Sequence, residues 1–141
     1  MAISTLSNHF KAQLYGKQLD LDSDDIKIAL VSGQFTFDKD AHATWPDVSS
    51  YELPAGVGYA TGGLTLQGCV IAEDDSNDRA RFTCNDARWN SSGELGPVIA
   101  AVIYDDDATD DTIIGCVEFG SDVTVNSGSA LEVQNIIIDL S

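Results

Sequence analysis

The sequence predicts one antiparallel β-sandwich domain over residues 1–141, with about eight strands and one N-terminal α-helix. The main observation is the stretch 97–107, in which the apolar residues 98–103 lie between a proline and three aspartates. Both parities of this run are apolar, which is typical of a strand buried on both faces in the middle of a sheet. Further short apolar or alternating segments recur between turn signals at fairly regular spacing, as in β-sandwiches. A chain of this length can bury one core.

The first predicted element is a helix over about residues 3–16. Ser4 or Thr5 would cap it, and Gly16 would end it. Its apolar side chains recur at a spacing of three or four and form one stripe, Ile3, Leu6, Phe10 and Leu14. We expect this stripe to pack on a sheet or on a neighbouring subunit.

The other predicted elements are strands, with one long irregular segment among them. The segment, over about residues 38–57, contains Trp45 and Tyr51 and is too long for a simple connector, so we interpret it as an ordered interaction loop. In the last strand the apolar positions change parity near Asn135, which predicts a β-bulge there. The predicted strands cover about residues 26–31 (with 34–37 continuing or returning it), 64–71, 79–84, 87–89, 98–104, 113–119 and 130–140.

The charge balance excludes several classes of partner. The chain carries 23 acidic and 7 basic residues, a formal net charge of −16. This charge repels phosphates, so we expect neither nucleic acid nor an anionic membrane as a partner. The N-terminus shows no signal-peptide pattern, and no apolar run reaches the length of a membrane span. The odd, widely spaced set of Cys69, Cys84 and Cys116 predicts buried free thiols in a protein folded in a reducing cytoplasm.

No motif predicts catalysis or a resident cofactor. Asp20-x-Asp22-x-Asp24 begins like a calcium loop, but the sixth and twelfth positions do not continue that pattern. We therefore predict solvated acidic turns, while a looser calcium site at such turns stays open. His9 and His42 are the only histidines, and neither belongs to a recognisable nucleophile or zinc pattern. We expect no enzymatic activity.

Aromatic and arginine side chains are the residues that best fit a binding role, because both are enriched at protein interfaces. An alternative is that each aromatic only covers the edge of the core. The predicted partner-interface residues are Phe10, Leu14, Trp45, Tyr51, Arg88 and Trp89.

Several landmarks, in order along nearly the whole chain, resemble a family of small structural proteins of tailed bacteriophage virions. After the N-terminal helix they are Ile-Lys-Ile-Ala-Leu-Val-Ser at 26–32, His-x-x-Trp-x-Asp-Val-Ser at 42–49, Gly-Tyr-Ala-Thr-Gly-Gly-Leu at 58–64, Asp-Arg-Ala-Arg-Phe at 78–82, Ala-Arg-Trp at 87–89, Ala-Val-Ile-Tyr-Asp at 101–105 and Ile-Gly-Cys-Val-Glu-Phe-Gly at 114–120.

The resemblance implies a non-enzymatic capsid cement or decoration protein. Such a protein would be made in the host cytoplasm and would bind the major capsid protein on the outer surface of the head. We expect a homo-oligomer, with trimers at capsid threefold positions favoured, and contacts made by the helix and the 38–57 loop. Two alternatives remain at this stage: a phage tail or baseplate component, and a glycan- or host-surface-binding module.

Overall fold

The computed structural model describes residues 5–140, and the chain is mainly antiparallel β structure, as the sequence predicts. The helices are α1 (Asn8–Tyr15) and the single turn α2 (Trp45–Val48), followed by a 3-10 turn at Ser49–Tyr51. The strands are β1 (Thr5–Leu6), β2 (Ile26–Val31), β3 (Leu64–Thr65), β4 (Val70–Asp74), β5 (Arg79–Cys84), β6 (Ala87–Asn90), β7 (Leu95–Asp105), β8 (Ile113–Val125), β9 (Ala130–Val133) and β10 (Ile136–Leu140). A five-stranded sheet has the order β1-β8-β7-β2-β3, a three-stranded sheet has the order β10-β5-β4, and β6 pairs with β9.

The strand predicted to be central, β7, lies between β8 and β2 in the middle of the largest sheet. Ala101 and Ile103 face one hydrophobic cluster, which also contains residues of α1 and of the two smaller sheets. Ala100 and Val102 face a second cluster on the opposite side. Both faces of β7 are therefore covered, and this confirms the inference from its unbroken apolar run.

The second cluster is closed by a segment with little regular structure. Phe35, Phe37 and Val48 are buried against the β2–β7–β8 face, and Trp45 packs beside them. Residues 35–48 thus act as a cover for the large sheet. The prediction that residues 34–37 belong to a strand is wrong, because they form part of this cover instead.

The predicted start of the first helix is also wrong. Thr5 and Leu6 form strand β1, which pairs with Cys116 and Gly115 of β8, and the helix begins only at Asn8. Pairing with β8 gives the backbone groups of Thr5 and Leu6 hydrogen-bond partners, whereas the N–H groups of a helical first turn at this position would have no partner within the helix. The helix does end at Gly16, as predicted. Ile3 and Ser4, named in the prediction, lie outside the described residues.

The C-terminal phase change has a different origin from the one predicted. Residues 130–140 form two strands: β9 pairs with β6, and β10 pairs with β5. Asn135 lies between them with a φ of 54°, in the left-handed region that asparagine tolerates. The change in apolar parity therefore marks a passage between two sheets and not a bulge within one strand.

Two of the three cysteines do not match the prediction of free thiols. Cys69 and Cys84 form a disulfide, with their Cα atoms 4.0 Å apart. The β4–β5 register pairs Val70 with Thr83, and so places Cys69 directly opposite Cys84. Cys116 is a buried free thiol, as predicted. Within residues 5–140, no helix is long and apolar enough to cross a membrane.

Candidate interaction surface

Two of the predicted interface residues lie inside the chain's own core. Phe10 and Trp89 are each at most 1% exposed. Neither side chain therefore presents the exposed surface that an interface anchor offers to a partner. Both serve as core residues, which is the alternative that the sequence left open for aromatic side chains.

Trp45 and Tyr51, the aromatic residues of the 38–57 loop, have different surroundings. The Trp45 ring stacks on Tyr104 of β7, with ring centroids 4.9 Å apart and nearly parallel planes. The turn that presents it is stabilised by Asp47, whose Oδ2 accepts hydrogen bonds from the backbone N–H groups of Ala43 and Thr44. Trp45 is thus held by the chain itself, whereas Tyr51 remains 39% exposed.

Arg88 is exposed, as expected for an interface residue, and it lies on β6. Its Nη1 donates to Glu132 Oε2 across the β6–β9 pair at 3.1 Å, and its Nε donates to Asn90. The guanidinium charge is therefore compensated within the chain. An exposed ion pair of this kind contributes at most about 1 kcal/mol to stability.

A largely apolar concavity lies between α1 and the three-stranded sheet. We refer to it as the apolar groove. It has a volume of about 280 Å³, and Asp20, Asp22 and Arg81 also line it. A second concavity continues it through Leu14 and Leu140, towards Lys11 and Tyr15 on the helix. The apolar residues that line the groove are Phe10, Leu14, Leu19, Leu21, Ile71, Ala80, Phe82, Ile138 and Leu140.

Two large apolar side chains stand out into solvent at this surface. Tyr15, at the end of α1, is 93% exposed, and Ile71 on β4 is 50% exposed. Val70, which is 58% exposed, points to the opposite face of β4, because successive strand residues alternate between the two faces. Of the predicted interface residues, Leu14 lines the groove and Phe10 forms part of its wall. The sequence analysis missed Tyr15, Val70 and Ile71. Contiguous apolar exposure of this kind is typical of interaction sites.

A compact ion-pair network lies along β5, and one of its members, Arg81, also borders the groove. Arg79 Nε lies 2.8 Å from Asp74 Oδ2, and Arg81 Nε lies 2.7 Å from Asp139 Oδ1. Hydrogen bonds from Asn77 and then from Arg79 lower the pKa of Asp74 to about 2. The two arginines of β5 are thus paired with two aspartates, and they add no net positive charge to this surface.

One acidic turn contains a buried carboxyl group. Asp105, at the end of β7, is fully buried, and its Oδ1 accepts the N–H groups of Asp107 and Ala108. Its Oδ2 finds no donor while both carboxyls are ionised, because it faces the carboxyl of Asp24. Burial first, and then the contact with Asp24, raise the pKa of Asp105 to about 8. A proton on Asp105 converts this contact into a hydrogen bond.

The histidines take part in local contacts. His9 Nε2 lies 2.8 Å from Asp110 Oδ2, and His42 Nδ1 accepts the N–H of Asp38 while its ring stacks on Phe35. Within residues 5–140, no three His, Cys, Asp or Glu side chains converge in a way that could hold a metal ion.

Comparison of the chain with family models, with curated proteins and with solved structures gives no match.

Proposed function

We propose that this chain is a non-enzymatic virion structural protein of a tailed phage, which binds the outer surface of the major capsid protein shell and stabilises the head. The sequence resemblance supports this proposal. In the structure, the observation that carries it is the apolar surface formed by Tyr15, the apolar groove and the exposed Ile71 of β4. A cement protein acts by burying such a surface between itself and its neighbours.

The net charge is compatible with an outer location. A charge of −16 opposes contact with packaged nucleic acid, whereas it favours solubility where the protein faces solvent. The two-sided burial of β7 gives the large sheet a firmly packed centre beneath the exposed surface. These features suit a protein that must hold an interface in place.

The test is cryo-electron microscopy of purified virions from the phage that encodes this chain. The proposal expects density for it at many symmetry-related positions on the outer capsid. Density confined to a few copies on the tail would replace the capsid role with a tail role. Absence from the particle would refute a virion function altogether.

A matched pair of variants tests which surface makes the contact. Tyr15→Ser removes the exposed ring beside the groove, and Tyr51→Ser removes a ring from the 38–57 loop. We expect capsid occupancy to fall at least tenfold with Tyr15→Ser and to stay within twofold with Tyr51→Ser. Thermal unfolding of each purified variant controls for loss of fold. The reverse result would assign the contact to the loop.

A further inference from the structure

We infer that the free edge of β4 is a site for strand addition, and that its occupant is an extended, apolar segment of the docking partner that carries lysine or arginine. This inference rests on the proposed function, because it specifies the chemistry of the partner segment. It follows from the backbone of β4, from the side chains beside it and from the charge around it.

The backbone of β4 is paired on one side only. β4 is the outer strand of the order β10-β5-β4, and residues 70–74 make no backbone hydrogen bond outside the β4–β5 ladder within the described part of the chain. The short Cα–Cα distance of the Cys69–Cys84 pair identifies it as a non-hydrogen-bonded pair. Pair types alternate along an antiparallel ladder, so Ile71 and Glu73 also lie in non-hydrogen-bonded pairs.

The consequence is a defined set of free hydrogen-bonding groups. Residues in non-hydrogen-bonded pairs direct their N–H and C=O groups away from the partner strand. Ile71 and Glu73 therefore present two donors and two acceptors at the open edge of the sheet. Such an edge is a template for another extended chain.

The side chains at the edge favour an apolar occupant. Ile71 is half exposed, lies opposite Phe82 of β5 and lines the apolar groove. A partner strand beside β4 would place every second side chain on the face that carries Ile71. An apolar residue there would extend the groove wall and cover Ile71. A polar residue there would lose hydrogen bonds to water and would find no hydrogen-bond partner in the Ile71 side chain.

The charge at the edge favours a basic occupant. Arg79 and Arg81 are compensated by Asp74 and Asp139, whereas Glu73, Asp75 and Asp78 form no ion pair within residues 5–140. The exposed carboxylates Asp20 and Asp22 add the same sign at the groove, while Lys11 borders only its far end beside the helix. Edge strands are often protected by lysine, but β4 has no basic residue.

The same charge argues against a second copy of this chain as the occupant. Two copies paired through β4 would bring together two edges rich in carboxylates, each on a chain of net charge −16. Repulsion between them opposes self-pairing. A lysine-bearing segment gains the hydrogen bonds of the edge together with charge complementarity.

The direct test measures binding of a fluorescent peptide to the full chain by anisotropy. The probe, Thr-Val-Thr-Lys-Thr-Lys, places valine and lysine on one face of the added strand, as Ile71 and Glu73 lie on one face of β4, and its control carries glutamate at both lysine positions. We expect saturable binding of the lysine peptide, at least tenfold tighter than that of the glutamate peptide and weakened by added salt. Equal binding of both peptides, or binding of neither, would overturn the inference.

A proline variant separates strand addition from simple charge attraction. Glu73→Pro removes an N–H that the β4–β5 ladder does not use, whereas Glu73→Ala removes the carboxylate and keeps that N–H. We expect Glu73→Pro to bind the lysine peptide at least tenfold more weakly than Glu73→Ala. Circular dichroism and thermal unfolding verify that both variants fold. Equal affinity of the two variants would refute strand addition.

A charge-reversal pair tests the location of the attraction. Glu73→Lys with Asp75→Lys changes the net charge by the same amount as Glu94→Lys with Asp122→Lys, at exposed positions elsewhere. We expect only the first pair to abolish peptide binding. An equal loss with both would show that the overall charge, and not the edge, attracts the peptide.

Virion occupancy distinguishes failure of this inference from failure of the proposed function. If wild-type protein is absent from the capsid, the proposed function fails. If wild-type and Glu73→Pro proteins occupy the capsid equally, the function stands and the β4 inference fails. Sedimentation of the purified chain checks the remaining occupant, since a dimer that Glu73→Pro dissociates would assign the edge to a second copy.

Discussion

The buried carboxyl pair of Asp105 and Asp24 predicts an unusual dependence of stability on pH. The decisive perturbation is Asp105→Asn. The amide keeps the oxygen that accepts the N–H groups of Asp107 and Ala108, and it replaces the unsatisfied Oδ2 with a donor for Asp24. It therefore retains the shape of the turn while it removes the repulsion.

The magnitude follows from the two pKa values of Asp105. The folded value is about 8, and the ordinary value for the unfolded chain is 3.8. Because the folded pKa is raised, the favourable contribution is fully present below pH 4 and is lost as the pH rises towards 8. The loss is about 1.4 kcal/mol per pH unit, up to about 6 kcal/mol. This is an upper limit, since Asp24 is partly exposed and solvent screens the pair.

The assay is urea unfolding of both proteins at several pH values between 4 and 9. We expect the Asn variant to gain stability relative to wild type steadily between pH 4 and pH 8, and to exceed it by several kcal/mol at pH 8. A difference in the free energy of unfolding that stays constant across this range would refute the carboxyl pair. So would a variant that is the less stable protein at pH 8.

Two further changes have predictable effects on the stability of the fold. Replacing Cys69 and Cys84 with serine removes a cross-link between residues 15 positions apart and should lower the free energy of unfolding by about 3 kcal/mol. A reductant should destabilise wild type but not the variant. Equal sensitivity of the two proteins to the reductant would contradict a disulfide. Gly63→Ala should destabilise by more than 3 kcal/mol, because its Cβ would collide with the Ile28 carbonyl. Gly33→Ala, also at positive φ but in open space, should lose only about 1 kcal/mol in the same denaturant titration; equal losses would show that backbone strain, and not the collision, is responsible.

The parts of the fold that the sequence predicted correctly depend on local patterns. The unbroken apolar run of β7 requires burial on both faces whatever the sheet order, so its central position could be inferred. The start of α1 could not, because the alternative for Thr5 and Leu6 is pairing with β8, more than 100 residues later. The disulfide could not be predicted for a similar reason: it depends on the β4–β5 register, which aligns Cys69 with Cys84, and a spacing of 15 residues does not reveal that register.

The candidate site was harder to predict than the fold. Composition marks aromatic side chains as interface candidates, but it does not distinguish the buried Trp89 from the exposed Tyr15. Ile71 belongs to a predicted strand and would be a core residue in the middle of a sheet. Its exposure follows from the position of β4 at an edge, and that position depends on the order of strands distant in sequence.

The irregular cover over the large sheet has a consequence for colloidal behaviour. Residues 35–48 are joined to that sheet by fewer backbone hydrogen bonds than its strands share with one another, so we expect this cover to open locally before the strands separate. Each opening would expose the apolar face that contains Val31 and Val102. This hydrophobic surface could then associate with the same face of another, otherwise folded molecule. The charge of −16 keeps two opened molecules apart in dilute buffer. Salt at molar concentration screens that repulsion, and aggregation of native protein should then begin from this face.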